Sequence, residues 1–178
     1  MRHFYRGAAR VYIIVKVRRR GLTTLRSVVE ISATPKQVYD VLTNTAYIIK
    51  IFRDAVSVEV DPPGRSVLGQ KYHLVSAAGR RKIDIFLEVT ELVPDQKVVT
   101  TQRPGGLFKS FRQCTTLLER PGGAVAETTF EYELSLGYIG RVLNSVLVEK
   151  LIRENLSSYS TAVKSLAELV PLPAGENA

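Results

Sequence analysis

The chain has one cysteine, Cys114, so no disulfide can form within it and no cysteine-based zinc site is available. Nothing in its cysteine usage points to an oxidising compartment, and a cytoplasmic location is expected. The two histidines, His3 and His73, are too few and too far apart in sequence for a metal cluster, and neither a metal nor another cofactor is expected. Long apolar runs are missing as well. The run Val11 to Val15 is five residues, too short for a signal-peptide core or a membrane span. No repeat, low-complexity block or interdomain linker divides the 178 residues, and an apolar content of 45% suits one globular domain with a sizeable core.

Acidic side chains are absent from the first twenty residues, which hold seven basic ones, among them Lys16, Arg18, Arg19 and Arg20. The other 158 residues carry 18 basic and 17 acidic groups, so the formal charge of +8 sits almost wholly on this stretch. A nearly neutral body makes nucleic acid an unlikely partner. Residues 1–21 have three readings. Alternation at Val11, Ile13, Val15 and Val17 suits an extra strand, with "RRRG" as its turn. A basic tail touching an acidic membrane surface or nucleic acid through residues 1–20 is the second, and a stretch with no role of its own is the third.

From Thr24 the pattern sharpens. "TLRSVVEIS" is a β-branched strand, and "ATPKQVYDVLTN" follows it at once. Thr34 serves as N-cap, Pro35 occupies the first helical position and Gln37 completes a capping box. Val38, Val41 and Leu42 give that helix one apolar face, and a second short helix is expected over Ala46 to Ile51. Strands then follow over Ala55–Val60, Gly69–Ala77, Lys82–Val93, Lys97–Gln102, Leu107–Glu119 and Ala124–Leu136. "DPPG", "AAGRR", "PDQ", "RPGG" and "RPGGA" separate them. Gly105-Gly106 and Gly122-Gly123 open no helix, so they read as hairpin turns rather than phosphate loops. In the last strand Ala126, Thr128, Phe130, Tyr132, Leu134 and Leu136 face one way and Glu127, Thr129, Glu131 and Glu133 the other. Asp84, Glu88 and this acidic row read as a solvated sheet face, not as catalytic carboxylates. Ile83, Ile85, Leu87 and Val89 share a face, and Phe86 on the opposite one suggests that both faces of its strand are partly covered.

The period then changes. From Ile139 to Leu169, apolar residues recur every three or four positions, including Leu143, Leu147, Leu151, Leu156 and Tyr159, which predicts a long amphipathic helix. Short turns imply antiparallel neighbours, and only this helix is long enough to cover the inner face of the sheet. The expected fold is therefore α+β: a curved antiparallel β-sheet wrapped around a long C-terminal α-helix, with two short helices after the first strand. Residues 22–170 form that domain and 171–178 a loose tail.

"VVEISATPKQVYDVLTN", "VSVEV", "LEVTELVPDQKVV", "GGAVAETTFEYEL" and the final helix together resemble the START-like helix-grip superfamily, with its polyketide cyclase/dehydrase and lipid-transport members. The resemblance runs from Leu25 to Leu169. Many members carry Asp-Pro after the first helix and an aromatic-proline pair in the next turn, where this chain has Asn44-Thr45 and "AYIIKIF". The resemblance implies a cavity between sheet and long helix that takes a lipid, quinone, sterol or polyketide-like molecule.

Candidate lining residues are Tyr72, Leu74, Ile85, Leu87, Phe130, Tyr132 and Leu134 on the strands and Leu143, Leu147 and Leu151 on the helix. Tyr132 is the first polar candidate, against a reading as a core tyrosine. Tyr72 shares a face with Leu74, which turns His73 outward. The strand Leu107–Glu119 has apolar residues on both faces, so Arg112 either points inward, where it would hold a ligand carboxylate, or lies on the surface. Cys114, with no base beside it, reads as a small buried apolar residue. A carrier or ligand-presenting binder is the first functional expectation, and the chain reads as a binding protein more than an enzyme. A cyclase or dehydratase built on His73, Tyr132 and Arg112, and an interaction module docking through the basic stretch, are the alternatives.

Overall fold

The computed structural model of the chain describes residues 11–19, 22–52, 55–78, 81–102, 108–135 and 145–169. The expected tail over 171–178 and the turn at 103–106 lie outside the described residues. Strand β1 (Val11–Arg19) pairs with β2 (Leu22–Ile31), and two short helices follow, α1 (Pro35–Thr43) and α2 (Thr45–Ile51). Then come β3 (Ala55–Asp61), β4 (Lys71–Ala78), β5 (Arg81–Val93), β6 (Lys97–Gln102), β7 (Phe108–Arg120) and β8 (Gly123–Leu134). The last helix, α3 (Ser145–Leu169), has 25 residues, about 38 Å at 1.5 Å per residue. Its expected first residues, Ile139 to Asn144, lie outside the described ones.

The eight strands form one antiparallel sheet in the order β1-β2-β8-β7-β6-β5-β4-β3. Chain neighbours pair except where β2 meets β8, and that pairing brings the first half of the domain against its end. The turn from β7 to β8 uses two glycines. Gly122 and Gly123 have φ of +79° and +154°, and a Cβ on Gly123 would stand 2.0 Å from the Ile31 carbonyl oxygen on β2.

The strand-to-helix junction is locally determined. Thr34 Oγ1 accepts from the Gln37 amide (3.3 Å), and Gln37 Oε1 accepts from the Thr34 amide (2.9 Å). Asn44 ends α1 and caps α2, its Oδ1 accepting from the Ala46 amide at 3.0 Å. Val38, Val41 and Leu42 are buried as the apolar spacing predicts. Thr34→Ala should lower unfolding free energy by about 1 kcal/mol, the usual loss for an N-cap hydroxyl. Urea titration checks this, and a change below about 0.3 kcal/mol would show that packing alone holds the junction.

The outer face of β8 is acidic, as read, but it is paired. Arg26 reaches Glu127 (2.5 Å), Arg112 reaches Glu131 (3.3 Å) and Lys109 reaches Glu133 (2.9 Å). Exposed pairs of this kind are worth about 1 kcal/mol or less each, so they set strand register more than stability. Two expectations need correction here. Arg112 does not point inward, because alternation along β7 turns Phe111, Gln113, Thr115 and Leu117 to the core and puts Arg112 opposite Glu131. Cys114 shares that outer face and is half-buried rather than core. Phe86 likewise lies on an open face, 48% exposed, stacked on His73 with ring centroids 4.5 Å apart.

Three apolar clusters fill the space between sheet and helices. The first joins α1 and the C-terminal half of α3 to Val29, Leu117 and Ala126. The second sets Val148, Ile152 and Leu156 of α3 on Leu25, Phe130 and Tyr132. The third holds Ile48 of α2 against Tyr72, Leu74 and Leu87. A buried polar row runs between the first two: Ser27 on β2, Thr128 on β8 and Thr115 on β7 are register neighbours.

Candidate functional site

A cavity of about 80 Å³ lies where the three clusters meet, and it opens to solvent. Phe52, Ile85 and Phe111 each pack against two clusters, and all three line it. Helix α2 and the residues after it supply Ile51, Phe52 and Ala55. Strands β4 and β5 supply Leu74, Ser76, Ile85 and Leu87. Phe108, Phe111 and Gln113 come from β7, Phe130 from β8, and Ile152, Asn155 and Tyr159 from α3. A larger and more open concavity of about 310 Å³ sits at the β3–β5 edge beside Glu59, Asp61, Lys71 and Phe86.

Aromatic rings form a continuous wall. Phe52 lies 5.7 Å from Tyr159, Tyr159 6.2 Å from Phe130, Phe130 5.3 Å from Phe111, and Phe111 5.1 Å from Phe108. The polar groups are few. Tyr159 and Gln113 are buried, Ser76 is half-buried and Asn155 stands at the exposed side of α3. The Tyr159 hydroxyl lies 3.5 Å from Thr115 Oγ1, which lies 3.1 Å from Thr128 Oγ1, so the buried polar row reaches the cavity through Tyr159. Burial pushes the Tyr159 hydroxyl up to about 12, against smaller downward pulls from hydrogen bonds with Thr115 and Gln113. At neutral pH it is a protonated donor and not a base. Among the described lining residues there is no carboxylate, histidine, cysteine, lysine or arginine.

No protein-family model and no curated protein matches the sequence. Solved structures do match. A protein from Thermus thermophilus superposes with a TM-score of 0.67 at 23% identity, over 81% of this chain and 96% of its own. The Zhui aromatase/cyclase from Streptomyces gives 0.69 at 14% identity, over 83% and 94%. A Thalictrum norcoclaurine synthase point mutant, in complex with a transition-state analogue, gives 0.63 at 13% identity, over 86% and 96%. The chain shares the helix-grip fold of these structures.

Within this helix grip the expected lining residues divide. Leu74, Ile85, Leu87 and Phe130 line the cavity. Tyr72 and Tyr132 are buried on the same sheet face but do not line it. The Tyr72 hydroxyl is held by Ser66 Oγ and Gln70 Oε1, each at 2.9 Å, and so fastens the connection from β3 to β4. Burial raises this phenol above its ordinary value, with Ser66 opposing. Tyr132 is 1% exposed and meets Phe108 edge-on at 5.8 Å. Leu134 and Leu151 are partly buried against the second cluster and do not line the cavity. Leu143 and the side chain of Leu147 lie outside the described residues.

His73, Tyr132 and Arg112 share no space. His73 is on the outer face, its Nε2 2.8 Å from Asp84 and its Nδ1 3.5 Å from Glu59. The hydrogen bond with Asp84 raises the imidazole above its ordinary value, with burial opposing and Glu59 adding. Arg112 is outside and Tyr132 inside. For Cys114, burial pushes the thiol up and Arg112 draws it down by less.

Sequence reasoning missed Phe108, Phe111, Gln113, Ile152, Asn155 and Tyr159 as lining residues. For Gln113 a signal existed: it alternates with Phe111 and Leu117, so an amide stands on the apolar face of β7. Tyr159 carried the same kind of signal on α3. Among the described residues no cluster of metal-ligating side chains forms and no helix is long and apolar enough to cross a membrane.

Proposed function

We propose that this helix-grip protein binds a hydrophobic small molecule between sheet and long helix, as a carrier or ligand-presenting protein. The observation that carries this reading is the chemistry of the wall: five aromatic rings, aliphatic side chains and four neutral polar groups, with no described lining group that exchanges protons near neutral pH. Such a wall binds by excluding water, and orientation falls to a few polar contacts. The cavity volume of about 80 Å³ is well below the roughly 150 Å³ of an apolar cavity that holds benzene. A larger guest therefore displaces lining side chains or projects through the mouth.

An enzyme of the cyclase or dehydratase kind is the second reading. It is favoured by the likeness to an aromatase/cyclase and a synthase, and it would need a proton-transfer group among residues beyond the described lining. Filling the cavity tests the binding reading. The neutral fluorophore N-phenyl-1-naphthylamine should brighten on titration with the full chain. Ile152→Trp should weaken that binding at least tenfold while keeping cooperative unfolding. Undiminished binding by the variant would place the hydrophobic site elsewhere. Solvent extraction separates carrier from enzyme: a carrier returns the molecule it took up, and a dehydratase returns one lighter by a water.

A further inference from the structure

The polar groups of the cavity are unequal, and their placement narrows what it can take. Gln113 and Tyr159 line the same cavity from β7 and α3, and both are 6% exposed. Behind them Thr115 and Thr128 already bond to each other. A primary amide offers two donors and an oxygen with two acceptor lone pairs. Even with one bond to Tyr159, Gln113 would keep hydrogen-bonding capacity beside the cavity. Phe130 is the register partner of Gln113, Phe111 lies two residues along the same face, and Phe108 packs on Phe111.

Charge is the other constraint. An ionised head group entering this space would lose water and meet no opposite charge among the described lining residues. The nearest arginine on β7, Arg112, is on the far side of the sheet with Glu131. A neutral oxygen loses far less on entry, and the Gln113–Tyr159 pair can satisfy it.

We propose that the ligand is an uncharged flat ring molecule bearing one hydrogen-bonding oxygen, a neutral phenol or cyclic ketone. Its oxygen sits on the Gln113–Tyr159 pair and its ring lies against Phe108, Phe111 and Phe130. The proposal rests on the binding reading above and goes beyond it by excluding fatty acids and other anionic amphiphiles.

Three probes of one shape test it: naphthalene, 2-naphthol and 2-naphthoate, titrated calorimetrically into the full chain at pH 7. 2-Naphthol should bind at least tenfold more tightly than 2-naphthoate and at least threefold more tightly than naphthalene. Gln113→Leu should remove the advantage of 2-naphthol over naphthalene. If 2-naphthoate matches or exceeds 2-naphthol, or if 2-naphthol holds no advantage over naphthalene, the proposal is overturned while a hydrophobic site remains. If none of the three binds, the binding reading falls with it. Should Gln113→Leu fail to fold, Gln113→Glu keeps the shape of the side chain. It should weaken 2-naphthoate further, and tighter 2-naphthoate binding by that variant would count against the proposal.

Discussion

Leu156→Ala is expected to lower the unfolding free energy by about 3 kcal/mol, within the 2–5 kcal/mol range for large-to-small changes in cores. Leu156 is fully buried at the centre of the second cluster, on the line Val148, Ile152, Leu156 that seats α3 on the sheet. Alanine is only a slightly better helix former than leucine, so helix propensity offsets little of the loss. The neighbours cannot close the gap easily, because Leu25 and Phe130 are fixed on paired strands and the space adjoins an existing cavity. For a domain of this length the shift in melting temperature should be about 6–12 °C. Urea unfolding measures the change, with an unaltered m-value as the sign that only stability moved. Leu169→Ala, at a residue 77% exposed, is the control and should change little. A loss below about 1 kcal/mol for Leu156→Ala would mean that the sheet does not depend on this part of the helix.

That helix illustrates what could and could not be read in advance. Its existence follows from spacings of three and four. Its rotation does not, because Leu147, Val148, Leu151 and Ile152 place apolar residues at adjacent positions, and a one-residue offset turns the helix by 100°. Packing on the sheet selects Val148 and Ile152 as the buried pair, a choice the local pattern leaves open. Strand β8 is the opposite case. Glutamates alternate with apolar residues, so a single register is consistent with its composition, and the structure has it. The capping box at Thr34 is similarly local, needing only four adjacent residues.

Strand β7 failed to resolve for a different reason. Leu118 is 61% exposed and mimics a core residue, and a register shift between Phe108 and Ser110 breaks strict alternation. Phe108 and Phe111 therefore both face inward although they are three positions apart. No period-2 pattern can anticipate this. The closure of β2 on β8 is equally non-local, and it decides where the cavity lies by fixing which parts of the chain face α3. Fold class is written in local periodicity; the cavity is written in pairings across about a hundred residues.

Tyr159 provides the second large effect, on the alkaline side. Its phenol ionises near 10 in an unfolded chain, whereas burial holds it to about 12 in the fold. Between those values the folded state keeps a proton that the unfolded state has lost. Unfolding then releases a proton, and stability falls as pH rises. The contribution is whole below pH 10 and is progressively lost up to the folded value, a total of roughly 3 kcal/mol. Tyr72 and Tyr39 are also raised by burial, so the alkaline slope of the protein is not due to Tyr159 alone. Tyr159→Phe isolates it. The variant keeps the ring against Phe52 and Phe130 and leaves Thr115 bonded to Thr128. At pH 8 it should be less stable than the parent by about 1 kcal/mol, the worth of one buried hydrogen bond. As pH approaches 12 the difference should close and then reverse, because the variant has no phenol to ionise at that site. Urea titrations of both proteins at pH 8, 10 and 11.5 measure the difference directly. A stability gap that stays constant across that range would mean that the hydroxyl meets water in solution, and with it the aromatic wall of the cavity would lose its dry, proton-holding side.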